Sequence, residues 1–229
     1  MRKSRLMIVY LASGSPRRRL LLSLLGVDVV CVPPNVREVE ARKNELSAIE
    51  VACGNALKKL EAAKKLYPGK VILAADTVVT CQGKIYGKPR DREEAALFLR
   101  ELRGRLHEVV TSVAVVSVEG EVRCGYERSG VRFKSITNAE IEWYLERVYT
   151  LDKAGGYSLQ EGTDCLVAEV VGSVSNIIGL PLGLAAAWVR WAHDSARTGL
   201  NHLPNPRRIG EARSTRERRV GRREGRVGG

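Results

Sequence analysis

The chain alternates between unbroken apolar runs and apolar stripes at helical spacing. "RLMIVYLA" (5–12) is a short apolar run, the pattern of a buried strand. It breaks at "SGSP", where Ser15 suits an N-cap and Pro16 the first helical position. Leu20, Leu21, Leu24 and Leu25 then predict an apolar stripe on a helix that Gly26 ends. "VDVVCVPP" (27–34) predicts a second strand, closed by Pro33 and Pro34. A polar stretch with Glu38 and Glu40 leads into a long helix from about Glu45 to Leu66, which the turn "YPGK" follows.

"VILAAD" (71–76) predicts another buried strand, after which "TVVTCQGKIYGKP" folds back across Gln82 and Gly83. "DREEAALFLREL" predicts an amphipathic helix opened by Asp91, and "HEVVTSVAVVSVEGEVRCGYERSGVRF" a long hairpin turning at Glu119 and Gly120. "TNAEIEWYLERV" predicts a helix capped by Thr137, with Glu140 in the capping-box position. A glycine-rich loop "LDKAGGYSLQEG", a strand "CLVAEVV", a loop "GSVSNIIGLP" and a last helix from near Pro181 complete the pattern. Strand–helix units early, a hairpin in the middle and a helix plus strand late predict an α/β or α+β sheet with helices on both faces.

Composition changes this picture in one place. The 229 residues, 44% apolar and 28% charged, suit a globular domain with a real core. The net charge is +12, and half of the excess lies after residue 192, where ten arginines meet four acidic residues. That stretch is rich in Arg, Gly and Pro and poor in apolar residues, which predicts disorder. The expected organisation is therefore a domain over residues 1–192 and a basic tail over 193–229. Lacking an aromatic residue, the tail could make only non-specific, salt-sensitive contacts to nucleic acid.

The apolar runs are too short or too interrupted to cross a membrane. The N-terminus resembles a signal peptide superficially, but arginines stand where a cleavage site would, so it reads as a first strand of a cytoplasmic protein. The five cysteines include no CxxC and are expected to be buried free thiols.

The strand–"SGSP"–helix junction is a ready anion site, because backbone N–H groups and the helix dipole point at a ligand there. Arg17, Arg18 and Arg19 crowd this positive end and would be favourable beside a polyphosphate. The same residues also fit a capped helix with solvated arginines. Neither GxxxxGK[ST] nor GxGxxG occurs. Asp76 ends a buried strand, where α/β sheets place functional groups, although a local turn could also satisfy it. Lys59 and Lys88 read as solvated lysines on local grounds. His107 suits a structural role. Without HxxxH or HExxH, an oxygen site built from Asp76, Glu38 and substrate phosphates would suit Mg²⁺ or Mn²⁺.

In order along the chain, "LASGSPRR", "AADTVV", "GKIYGKP", "RGRLHEVVTSVAV", "LDKAGGYSLQ" and "GSVSNIIGLPL" resemble the successive signatures of the Maf family. The resemblance covers about residues 6–192. It implies a nucleoside triphosphate pyrophosphatase, which cleaves the α–β phosphoanhydride to a monophosphate and pyrophosphate and needs a divalent cation (Mg²⁺, Mn²⁺ or Co²⁺). It implies a Maf/Ham1-type fold, an elongated mixed α/β sheet flanked by helices with a central cleft, and a homodimer. By the same resemblance Asp76 accepts the proton of the attacking water and touches the metal with Glu38. Ser13, Ser15, Arg17 and Arg18 hold phosphates, and Lys59 and Lys88 match the family's helix and "GKP" lysines. Arg17, Thr77 and Gln160 resemble the subgroup acting on dTTP, UTP and modified pyrimidine nucleotides. Two other readings are a house-cleaning pyrophosphatase for non-canonical purine triphosphates and a non-catalytic nucleic-acid-binding or cell-division regulator.

Overall fold

The computed structural model describes residues 7–39 and 46–198. Glu40, Glu45, the start of the first predicted strand and the tail beyond residue 198 lie outside the described residues. The elements are β1 (Ile8–Leu11), α1 (Pro16–Ser23), β2 (Asp28–Cys31), α2 (Ala48–Leu66), β3 (Ile72–Cys81), β4 (Lys84–Tyr86) and α3 (Arg92–Leu102). They continue as β5 (Leu106–Val116), β6 (Val122–Phe133), α4 (Asn138–Arg147), α5 (Thr163–Leu166), β7 (Val167–Val171), α6 (Val174–Ile178) and α7 (Leu182–Thr198).

The strands form one mixed seven-stranded sheet in the order β2-β1-β3-β5-β6-β7, with β4 paired to β3. β1 runs parallel to β2 and β3, and every other pairing is antiparallel. One edge of β3 decides where a ligand can enter. β3 pairs with β1 only up to Leu73 and with β4 only from Val79. The strand between those points borders a cleft, while its other edge stays paired to β5 throughout.

Helices cover both faces, as the mixed element order predicts. Alternation along β3 sends Ile72, Ala74 and Val78 to α2, which lays Val51, Ala52, Ala56, Leu60 and Ala63 on them. Leu73 and Ala75 face the other way, under Leu21 and Leu22 of α1 and Ala185, Trp188 and Val189 of α7. Further along that face, α3 and α4 close over Val79, Val109, Val131 and Phe133. The β3–β4 turn has φ of 51° at Gln82 and 78° at Gly83, the double positive φ that matches strand twist in a two-residue hairpin.

Several expectations are corrected. On α1 the core side is Leu21, Leu22 and Leu25, whereas Leu20 and Leu24 are exposed. Five leucines in six positions surround too much of a helix for periodicity to choose the face. Asp76 does not end its strand, because β3 stays paired to β5 from Ile72 to Thr80. α2 starts at Ala48, behind a reciprocal capping box between Ser47 and Glu50. The predicted strand "CLVAEVV" begins as the helical turn α5, and the predicted loop at 172–181 contains α6, capped by Ser173. Of the five cysteines only Cys81 is buried; Cys53 and Cys165 are partly exposed, and Cys31 and Cys124 exposed. The boundary expected after residue 192 falls inside α7.

Candidate active site

Asp76 lies at the bare stretch of β3, 5% exposed, with its side chain toward α2. Lys59, a buried residue on α2, places its Nζ 2.6 Å from Asp76 Oδ1 and 2.7 Å from Glu38 Oε1. Lys88, after β4, reaches the same Glu38 oxygen at 3.4 Å. The four residues form a chain of alternating charge across the cleft wall. Asn55, one helical turn before Lys59, donates to Asp76 Oδ2 at 3.1 Å. Its amide oxygen accepts from the Val39 N–H at 2.6 Å, and its amide nitrogen also donates to the Val39 carbonyl. Asn55 thus ties the segment carrying Glu38 to the strand that carries Asp76.

The opposite side of β3 is built from α1 and the late loops. Thr77 points there, because consecutive strand residues face opposite ways. Its Oγ1 accepts from Arg18 Nη2 at 3.0 Å and lies 3.0 Å from Thr111 Oγ1, which donates to the Asn176 carbonyl. Arg18 also donates to Gly179 O at 2.8 Å and to Ser13 Oγ at 3.3 Å. Its guanidinium therefore braces the serine turn against β3 and α6. Ser15 caps α1, accepting from the Arg18 N–H, and Ser13 Oγ accepts from the Ser15 N–H at 3.2 Å. Arg19 is exposed, as expected for a solvated side chain.

Arg17 reaches across the cleft instead. Its Nη1 lies 2.7 Å from Asp152 Oδ2, and its Nη2 donates to the Asp152 carbonyl at 3.2 Å. Asp152 lies in the glycine-rich loop that also carries Gln160, an exposed residue lining the cleft. Lys153 continues the chain to Asp152 Oδ1 at 2.9 Å and Glu161 at 3.4 Å. Gly155 holds this loop close to β3: its φ is 73°, its N–H donates to Gly87 O, and a Cβ there would lie 2.9 Å from Val79 Cγ2.

All ten expected positions, Ser13, Ser15, Arg17, Arg18, Glu38, Lys59, Asp76, Thr77, Lys88 and Gln160, line one cleft of about 990 Å³. Asn55, Asp152 and Lys153 were not foreseen. Asn55 carried one signal, its spacing of one turn from Lys59; the Asp152 partnership crosses most of the chain and left none.

Electrostatics follow from this layout. Partial burial pushes Glu38 up, but hydrogen bonds and charge from Lys59 and Lys88 outweigh it and hold the carboxyl low. Asp152 is held low in the same way, by Lys153 and Arg17 against its burial. Burial lowers Arg18, opposed by the charges of Asp76 and Glu38. His107 plays the structural part expected of it: Nε2 lies 2.9 Å from Tyr157 Oη, and burial pushes its pKa down to about 4.

The donor set suits a hard cation. Glu38 and Asp76 converge on one point, now taken by the Lys59 ammonium, and each offers oxygen only. No cluster of three or more His, Cys, Asp or Glu occurs among the described residues. Two carboxylates fit Mg²⁺ or Mn²⁺, which take one or two protein ligands and complete their shell with phosphate oxygens and water.

A buried carboxylate flanked by cations, beside a serine–arginine turn at a helix N-terminus, defines a phosphate-handling cleft. The family model for Maf-like protein matches residues 8–191, and the chain belongs to that family. A dTTP/UTP pyrophosphatase of Symbiobacterium thermophilum is 40% identical over 172 residues, covering 75% of this chain and 87% of that protein. One from Deinococcus radiodurans is 40% identical over 188 residues, covering 82% and 94%. Among solved structures, the Staphylococcus aureus Ham1 protein matches at 16% identity and a TM-score of 0.46, covering 80% of this chain and 98% of that one.

Proposed function

We propose that this chain is a nucleoside triphosphate pyrophosphatase that hydrolyses dTTP and UTP to the monophosphate and pyrophosphate. The relatives that match along most of its length carry that name. The observation that carries the reading is the buried Asp76 carboxylate, held by Asn55 and Lys59 at the lip of a cleft whose far side presents Ser13, Ser15, Arg17 and Arg18.

Asp76 aligns a water against the α-phosphorus and takes its proton. Lys59 and Lys88 offset the charge of the triphosphate, and the α1 N-terminus with Ser13 and Ser15 offers donors to its oxygens. Arg18 keeps those donors in place. A divalent cation held by Glu38 and Asp76 would neutralise phosphate charge and polarise the bond to be broken. Arg17, Thr77 and Gln160 sit on the recognition side, where a glutamine amide offers both donor and acceptor to a pyrimidine edge. A homodimer belongs to the same reading, checked by light scattering in solution.

The test is a panel of nucleoside triphosphates assayed for pyrophosphate with Mg²⁺, Mn²⁺ or Co²⁺. dTTP and UTP should lead. Preference for inosine or xanthosine triphosphate would support the purine reading instead, and no pyrophosphate from any substrate would overturn both. Removing residues 199–229 should leave hydrolysis intact. Retention of all activity only in the full chain would favour a role for the basic tail, including the nucleic-acid contact its charge allows.

A further inference from the structure

We propose that Cys53 of α2 and Cys124 of β6 form a reversible disulfide that clamps the active-site helix onto the sheet. Cys53 lies two positions before Asn55 and six before Lys59, on the helix that holds both partners of Asp76. Cys124 lies opposite Ala114 of β5, which packs beneath α2. The two thiols lie close enough for each to act on the other's ionisation. Ser112 lies beside the pair: its Oγ is 3.6 Å from Cys124 Sγ and donates to the Gly125 carbonyl at 2.9 Å. Ser112 is in turn the cross-strand neighbour of Asp76 on β3. Cys124 and Asp76 therefore point to the same, α2-covered face of the sheet.

Of the other thiols, Cys31 lies on β2, across the sheet from β6, and two have contacts of their own. Cys81 contacts the Leu106 carbonyl at 3.8 Å, and Cys165 the Gly162 carbonyl at 3.0 Å. Cys124 is exposed and Cys53 partly so, which gives a small oxidant access. Interaction with the Cys124 thiol favours the Cys53 thiolate over its partial burial, making Cys53 the attacking sulfur. The oxidant is a hydroperoxide. The Cys53 thiolate attacks its terminal oxygen, forming a sulfenic acid and, after protonation, releasing water from hydrogen peroxide. Cys124 sulfur then attacks the sulfenic sulfur, the S–S bond forms, and a second water leaves. Two thiols lose two protons and two electrons, and the peroxide is reduced to two waters. A dithiol reductant reverses the bond by exchange.

The consequence is mechanical. The bond would close the chain between positions 53 and 124 and cross-link α2 to β6 over β3 and β5. It would fix the end of α2 that carries Asn55.

The test treats the full chain with a slight excess of hydrogen peroxide and counts thiols after unfolding. Five should fall to three, with loss of two hydrogens in the intact mass, a Cys53–Cys124 peptide in a non-reducing digest, and full recovery in dithiothreitol. The melting temperature of the oxidised protein should rise on the order of 5–10 °C. Cys53→Ser and Cys124→Ser should each prevent the loss of the pair, while a triple Cys31→Ser, Cys81→Ser, Cys165→Ser variant should keep it. Five thiols surviving treatment, a bridge to any other cysteine, or oxygen addition without a cross-link would overturn the pair. An unchanged melting temperature in the bridged protein would overturn the clamp.

Discussion

Asp76 and Thr77 are adjacent in the chain, yet they serve opposite sides of one strand. On the α2 side, Asp76, Lys59, Glu38 and Lys88 form a run of alternating formal charges, partly buried and ordered by Asn55. On the α1 side, Thr77, Ser13, Thr111 and Asn176 form a network of neutral hydrogen bonds around a single guanidinium, that of Arg18. The first side gathers formal charge at the cleft wall. The second sets shape and donor direction. A strand edge left bare between Leu73 and Val79 lets one ligand meet both.

The sharpest way to break the contrast is Asp76→Asn, which keeps the size and the Asn55 contact region but cannot take a proton. Turnover should fall roughly 10³-fold with nucleotide affinity nearly kept. Near-normal pyrophosphate release in steady-state assays would remove Asp76 from its role. Lys59→Met should come next. It leaves Asp76 and Glu38 facing each other without the ammonium, and breaking a pair this buried costs about 3 kcal/mol or more. Chemical denaturation measures it; a midpoint within error of the parent would show that the carboxylates simply protonate or take up a cation.

Acid sensitivity has a separate source. His107 titrates near 4 in the folded protein against about 6.5 in the free chain, so below pH 6.5 the unfolded state binds the extra proton. Stability is full above that pH and falls as pH drops toward 4, by up to ~3 kcal/mol from this group. His107→Gln should flatten that slope in denaturant titrations at pH 4.5–6.5, and an unaltered slope would assign the loss to other groups.

On the α1 side the effects should be smaller. Thr77→Val removes the hydroxyl between Arg18 and Thr111, a loss of about 1–3 kcal/mol. It should appear mainly as a raised KM with weaker pyrimidine preference; an equal fall in kcat would place Thr77 with the chemical side. Asp152→Asn should be the mildest. The Arg17–Asp152 pair is part-exposed and worth about 0–1 kcal/mol, so KM should change only a few-fold. A tenfold or larger change would make that contact a main determinant of recognition.

Much of this was legible in the chain. Ser15, Asp91, Thr137 and Glu140 announced three helix starts, because capping is a local exchange of hydrogen bonds between residues a few positions apart. Gln82–Gly83 and Gly120 announced the two hairpins for the same reason. The ordered signatures from "LASGSPRR" to "GSVSNIIGLPL" named the family and the ten cleft positions together. The core face of α1 was not legible, since leucine surrounds the helix and only contact with β1 and α7 selects Leu21 and Leu22. Nor were the cysteines, whose exposure depends on what lies over them.

Local sequence thus determined the caps, the turns, most elements and the kinds of side chain available for phosphate chemistry, because each depends on neighbours within a turn or two. Tertiary structure alone decided that Asp76 stands in mid-strand, that β3 has a bare edge beside it, and that Asn55 and Lys59 reach it from α2. It alone brought Arg17 to Asp152 and Cys53 to Cys124. These are pairings between residues distant in sequence, and only the closing of the sheet and the packing of helices on its two faces can select them.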